Sequence, residues 1–181
     1  MFRGIGVLFV ATVVLSGCGK RETDVERRQR EALDLCYKGA DCLRAKDNVG
    51  AESLFKQALD VDPFCDKARN ALASMEKERR TAVSAARTQI ASFKAALDMF
   101  WSDLGTLPTT RQGLVALRLP PSDLRNQARW GGPYLENDVP PDPWGNPYQY
   151  ACPGAHNPAS YDVWSLGPDG VSGTEDDIGN W

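Results

Sequence analysis

Asp169, Glu175, Asp176 and Asp177 fall within nine residues near the end of the chain, in the run Ser165-Leu166-Gly167-Pro168-Asp169-Gly170-Val171-Ser172-Gly173-Thr174-Glu175-Asp176-Asp177-Ile178-Gly179-Asn180-Trp181. Glycines at 167, 170, 173 and 179 turn the backbone between them, and no apolar run there is long enough for a helix. Oxygen donors offered from several points of a tightly turning loop suit a hard cation, since Ca²⁺ takes about six to eight oxygens at about 2.4 Å. A solvated acidic end has the same composition, because turns and termini collect Gly and Asp. Hydrolysis fits less well: a general acid and base must stand on opposed walls, whereas these carboxylates crowd one loop.

The next reactive groups are thiols. Leu15-Ser16-Gly17-Cys18 follows an apolar stretch over 5–14 with Arg3 ahead of it. At roughly 15 apolar or small residues the segment is short for a bilayer span of about 20 and reads as an exported precursor. The box resembles that of bacterial lipoproteins. That resemblance implies a signal peptide over 1–17 and a lipid on Cys18, with anchoring strength set by buried CH₂ groups. Gly19 supplies no acidic inner-membrane retention signal, so the expected place is the cell envelope facing the periplasm, at the outer membrane.

Export puts Cys36, Cys42, Cys65 and Cys152 in an oxidising compartment. These four allow three pairings, and a bond within the trio Cys36, Cys42 and Cys65 is expected; buried free thiols are the alternative. A thiolate metal site lacks the spacing, since no two cysteines are separated by only two to four residues and the one histidine, His156, sits in a Pro/Gly/Asn-rich loop. Cys152 precedes His156 by four residues, but no nucleophile motif surrounds the pair, so no catalytic site and no small-molecule substrate are expected. The net charge of −3, with cations spread among acids, gives no basic stripe and excludes nucleic acid as a partner.

These groups need elements to hold them. Residues 18–26 are polar and read as a tether. Over 27–65 the composition turns helical: Leu33, Cys36, Tyr37 and Leu43 mark one apolar face, Gly39 weakens it, and Asp47-Asn48 turns the chain. Ala51, Leu54, Phe55, Ala58 and Leu59 then recur at helical spacing before Asp62-Pro63 stops the helix. This αα-hairpin, with Ala51-x-x-Leu54-Phe55-x-x-Ala58-Leu59-x-x-x-Pro63, resembles the second half of a tetratricopeptide unit. A Cys42–Cys65 bond would offset its small size.

The last part, 66–181, opens with a helix to about Leu104, uninterrupted by Pro or Gly. Val83, Ala86, Ile90, Phe93, Leu97, Phe100 and Leu104 alternate steps of three and four, which places them on one seam. Thr109 or Thr110 can cap a short helix ending near Leu117, before Pro120-Pro121. Strands are expected near 132–135, 148–151 and Asp162–Ser165. The sum is an α+β unit, a long helix laid on a small antiparallel sheet.

Five segments of this unit occur in a matching order: Ala96-Leu97-Asp98; Gly105-x-Leu107-Pro108-Thr109-Thr110-x-Gln112-Gly113-Leu114-x-Ala116-Leu117; Trp130-Gly131-Gly132-x-Tyr134-Leu135; Pro143-Trp144-Gly145-Asn146-Pro147-Tyr148-x-Tyr150; and Ser165-Leu166-Gly167-x-Asp169-Gly170 with Asp177-Ile178-Gly179-Asn180-Trp181. From about Ala85 onward the chain resembles the major pseudopilin of bacterial type II secretion systems. The resemblance implies a Ca²⁺-binding terminal loop with ligands from the Leu166 carbonyl, Asp169, Asp177 and one of Glu175 or Asp176, plus a carbonyl near Val171 or Ser172. It also implies partners among pseudopilins or other secretion-system proteins. The family's basic leader, processing site and long apolar helix are replaced here by a lipobox, a tether and a hairpin. The expected role is a non-catalytic lipoprotein that touches secretion components and whose soluble domain is monomeric; the alternative is an atypical subunit of the periplasmic filament.

Overall fold

A computed structural model describes residues 22–124 and 127–181. The lipobox and Cys18 lie outside the described residues. The chain divides into two compact units, Met1–Leu72 and Ala73–Trp181.

In the first unit, α1 (Asp24–Arg44) and α2 (Asn48–Val61) form an antiparallel hairpin. Thr23 begins α1 with a complete capping box: its Oγ1 accepts from the Glu26 amide, and the Glu26 carboxylate accepts from the Thr23 amide. The helix therefore starts inside the stretch expected to be a tether. Asp47 caps α2 by accepting from the Gly50 amide.

The buried face of α1 is Ala32, Cys36 and Gly39, at steps of four and three. Leu33, Tyr37 and Leu43, expected to help form that face, are exposed. The reason is close approach: a Cβ on Gly39 would sit 2.9 Å from Phe55 Cε1, so α1 meets α2 through its small residues while Phe55, Ala51 and Ala58 fill the other side. Gly39→Leu is expected to lower the stability of this unit by about 1–3 kcal/mol through overpacking, read as a lower urea midpoint. Cys36 Sγ stands 3.5 Å from Cys65 Sγ, and both are buried thiols. Cys42 is only half-buried, and Cys36, not Cys42, is the residue set against Cys65.

α3 (Asp66–Leu104) enters the second unit, where Ile90, Phe93, Ala96, Leu97 and Phe100 supply one wall of the core. The seam read from the sequence is thus buried within the chain from Ala86 to Phe100, with Val83 and Leu104 half-buried at its ends. The opposite wall comes from Leu114, Ala116, Leu117, Tyr148, Tyr150, Tyr161 and Val163. Aromatic rings join the walls edge to face, Phe93 on Tyr148 at 5.0 Å and Phe100 on Tyr134 at 5.6 Å. Burial pushes the Tyr148 and Tyr161 hydroxyls up to about 12, with Asp142 and Asp98 adding to the effect.

The sheet is antiparallel, in the order β1 (Gln149–Ala151), β2 (Asp162–Ser165), β3 (Ile178–Gly179). Tyr150 faces Val163, and Ser165 faces Ile178. The strand expected near 132–135 does not form. Pro133 has no amide hydrogen to donate, the Gly131 amide donates to Tyr134 Oη, and the Tyr134 amide donates to the Leu117 carbonyl, so the local donors are spent outside a ladder. The third strand comes from the tail instead. In place of the short helix expected from a cap at Thr109 or Thr110, a turn leads into a 3₁₀ segment, Leu114–Leu117, whose N-cap, Gly113, makes no side-chain cap bond. Thr109 and Gln112 exchange side-chain bonds with each other's amides there.

Candidate functional site: the terminal loop

The run from Leu166 to Asp177 connects β2 to β3, so both of its ends are fixed to the sheet. Positive φ at Gly167, Gly170 and Gly173 (65°, 66° and 87°) makes the turns that a side chain would resist. At Gly167 a Cβ would also overlap the carbonyl oxygen of Asp176, so the two ends of the loop press together there.

A buried network holds the near end. Asp142, 4% exposed, takes the Trp144 and Asn146 amides on Oδ1 at 3.0 and 2.8 Å, and the Ser165 hydroxyl on Oδ2 at 2.5 Å. Ser165 Oγ in turn accepts from the Gly167 amide at 3.1 Å, while Asn146 Nδ2 donates to the Gly167 carbonyl at 3.2 Å. Both backbone groups of Gly167 are therefore held by side chains from the Asp142–Asn146 turn or from β2. The far end is held by Asn180, whose Oδ1 accepts from the Val163 amide and whose Nδ2 donates to the Tyr161 carbonyl. Trp181 stacks on His156 at 3.7 Å.

Asp169 is exposed and folds back so that Oδ1 accepts from the Val171 amide at 2.9 Å. Asp177 is half-buried; its Oδ2 accepts from the Gly173 amide at 2.7 Å, and its Oδ1 is buried with no hydrogen-bond partner. Glu175 and Asp176 are exposed, and Leu166 is half-buried. Among the described residues no three Asp, Glu, His or Cys side chains gather as a metal-holding group. A cation here would have to draw on backbone carbonyls as well as carboxylates. The donor chemistry is compatible with that requirement: the loop offers oxygen only, and Asp177 Oδ1 is a buried acceptor without a hydrogen-bond partner in the protein.

Asn146, Ser165 and Asn180 stand in the motifs read from the sequence but are given no role there, and Asp142 is not singled out although Asp142-x-x-Gly145 is a visible turn signal; the structure shows all four holding the loop. Asp162 is likewise given no role there. It is 2% exposed, and burial opposes its charge, but the His156 amide and both amides of Asn157 bond it and hold its carboxyl below the usual range. Its stabilisation is therefore present above the ordinary carboxylate pKa and is lost as pH falls through the depressed one. Asp162→Asn should cost about 1–3 kcal/mol at pH 7, and its gap from wild type should narrow below about pH 4, as read by urea midpoints across pH. His156 Nδ1 faces Asp162 at 3.4 Å and its ring packs on Trp181, so its observed partners are a carboxylate and an aromatic ring.

A long helix laid against a small antiparallel sheet, with a tight acidic loop tied between two strands, defines a pseudopilin-like α+β domain. The crystal structure of the major pseudopilin from the type 2 secretion system of enterohaemorrhagic Escherichia coli matches 59% of the chain and 92% of its own, with 38% identity and a TM-score of 0.51. Type II secretion system core protein G of Pectobacterium carotovorum subsp. carotovorum is 42% identical over 113 residues, 62% of this chain and 69% of that one. Its counterpart in Pseudomonas aeruginosa is 41% identical over 110 residues, 59% and 76% of the two chains. The family profile described as type II secretion system (T2SS), protein G, matches residues 73–181. The chain belongs to the protein G family of type II secretion systems, the major pseudopilins, whose role is structural and non-catalytic.

Proposed function

We propose that this protein is an atypical pseudopilin subunit that joins the periplasmic secretion filament through its 73–181 unit. The observation that carries the reading is the extent of the family match, which runs from the first residue of that unit to its last and takes in the helix, sheet and loop together. A lipid on Cys18 holds it at the envelope, with the outer membrane as the favoured site. A tether ahead of α1 and the tetratricopeptide-like hairpin of α1 and α2 separate anchor and pseudopilin unit along the chain. Ca²⁺ binds the terminal loop through the Leu166 carbonyl, Asp169 and Asp177, with Glu175 or Asp176 completing the acidic set. Its task there is to neutralise Asp177 and fix the loop against the sheet.

A second reading, a lipoprotein that touches pseudopilins without polymerising, draws on the burial of the α3 seam inside the chain. Among the described residues no helix is long and apolar enough to cross a membrane. Both readings need a protein contact, and Trp101 and Met99 on α3, each 57% exposed, supply apolar surface for one. Trp101→Ala should leave stability within about 0.5 kcal/mol of wild type yet reduce crosslinking to secretion proteins in intact cells about tenfold. The proposal itself is tested by crosslinking the lipidated chain in its own cells and identifying what is bound. Recovery of pseudopilins supports it, and recovery of no secretion component rejects both readings.

A further inference from the structure

We infer that Cys36 and Cys65 form a structural disulfide in the mature protein, closing α1 onto the junction between α2 and α3. The two sulfurs already face each other at 3.5 Å across the hairpin core, 29 positions apart in sequence, and both residues are buried at 4% and 6% exposure. Each is fixed from both sides. Cys36 lies on the α1 face with Ala32 and Gly39, and the Cys65 backbone bridges the turn, its amide donating to the Asp62 carbonyl and its carbonyl accepting from the Arg69 amide. Bringing the sulfurs into bonding distance therefore needs a small side-chain adjustment and no rearrangement of the helices.

Chemistry and packing favour the bond over a stable thiol pair. Burial, with the hydrogen bond to Cys65, pushes the Cys36 thiol up, so the closed hairpin holds a poor nucleophile. Oxidation then belongs to folding, before the hairpin closes. One thiolate attacks the disulfide of an exchange partner, a protein or small-molecule disulfide, and the second thiolate displaces that partner from the mixed disulfide. The two cysteines lose two electrons and two protons in total, and the partner's two sulfurs leave reduced, as one dithiol from a protein disulfide or as two separate thiols, one at each step, from a small-molecule disulfide. No carboxylate or histidine joins the two sulfurs in a metal-holding group among the described residues. A short two-helix hairpin is also where a covalent closure has most to add, since it buries a small core.

The bond requires an oxidising compartment and so rests on the export reading. Trypsin separates the candidates, because Cys36, Cys42 and Cys65 fall in peptides 31–38, 39–44 and 57–67. The full chain should be alkylated in its own cells, digested without reductant and analysed by mass spectrometry, with cell fractions kept apart. A linked 31–38/57–67 pair is the expected product, and reductant should lower the melting temperature of wild type, but not of Cys36→Ala, by on the order of 10 °C. Free Cys36 and Cys65 in periplasm-facing protein, or a 39–44/57–67 pair, overturns the bond. Free thiols in protein confined to the cytoplasm overturn the export reading instead. The bond is then decided on purified full chain unfolded in denaturant and refolded in a buffer of reduced and oxidised glutathione, where absence of the 31–38/57–67 pair rejects it.

Discussion

Asp142→Ala is expected to cost the 73–181 unit about 3–5 kcal/mol. The carboxylate is almost wholly buried and accepts from two backbone amides and from the Ser165 hydroxyl. Its removal strands all three donors, the Ser165 hydroxyl buried and the Trp144 and Asn146 amides partly so, and a fully buried donor left without a partner costs about 1–3 kcal/mol. The damage reaches the loop, since Ser165 holds the Gly167 amide and Asn146 holds the Gly167 carbonyl. Asp142→Asn should be milder because one amide oxygen can still serve the Trp144 and Asn146 amides, leaving Ser165 as the group without its acceptor. Urea unfolding followed by tryptophan fluorescence, which reports this unit because all five tryptophans lie in it, would measure both variants. Equal losses for Asn and Ala would show that the anionic contact to Ser165 dominates. No loss for either would contradict the network.

Calcium should produce the second large effect. At a free Ca²⁺ concentration about 100 times the dissociation constant, binding only the folded state adds about 2.7 kcal/mol, or roughly 10 °C in melting temperature for a unit of this size. A chelator should return the apo value. Asp177→Asn should be insensitive to both, because it removes the charge from the one buried loop oxygen that has no protein partner. Mg²⁺ should substitute poorly, since it demands a tight octahedral shell and sheds water reluctantly. A wild-type melting temperature unmoved by Ca²⁺ would reject the cation and leave Asp177 Oδ1 to be satisfied by solvent.

The parts of this molecule that were legible in its sequence are those set by local periodicity. The Ile90-to-Phe100 seam and strand Asp162–Ser165 each follow from spacing. Contacts between distant residues were not legible. β3 has only two residues, one of them glycine, and exists because Asn180 reaches across to Tyr161 and Val163. The aromatic stretch at 130–135 carried strand-forming residues, but its amides are committed elsewhere. Of the apolar face expected on α1, Cys36 is buried but Leu33, Tyr37 and Leu43 are not, because the helices meet through the small residues Ala32, Cys36 and Gly39. For the loop, the acidic cluster and its glycines were evident at once. That Asp177 carries the buried oxygen, while Glu175 and Asp176 stand exposed, depends on Asp177 standing immediately before β3, whose pairing is itself a long-range contact.

Filament membership is tested most directly by isolating the secretion filament from the protein's own cells, by gentle shearing without crosslinker, and measuring this chain in it. The proposal predicts that the full lipidated chain sediments with the filament pseudopilins and that Trp101→Ala lowers its share there while leaving its total amount unchanged. Its complete retention in the membrane fraction, with filaments present and free of it, would contradict assembly as a subunit.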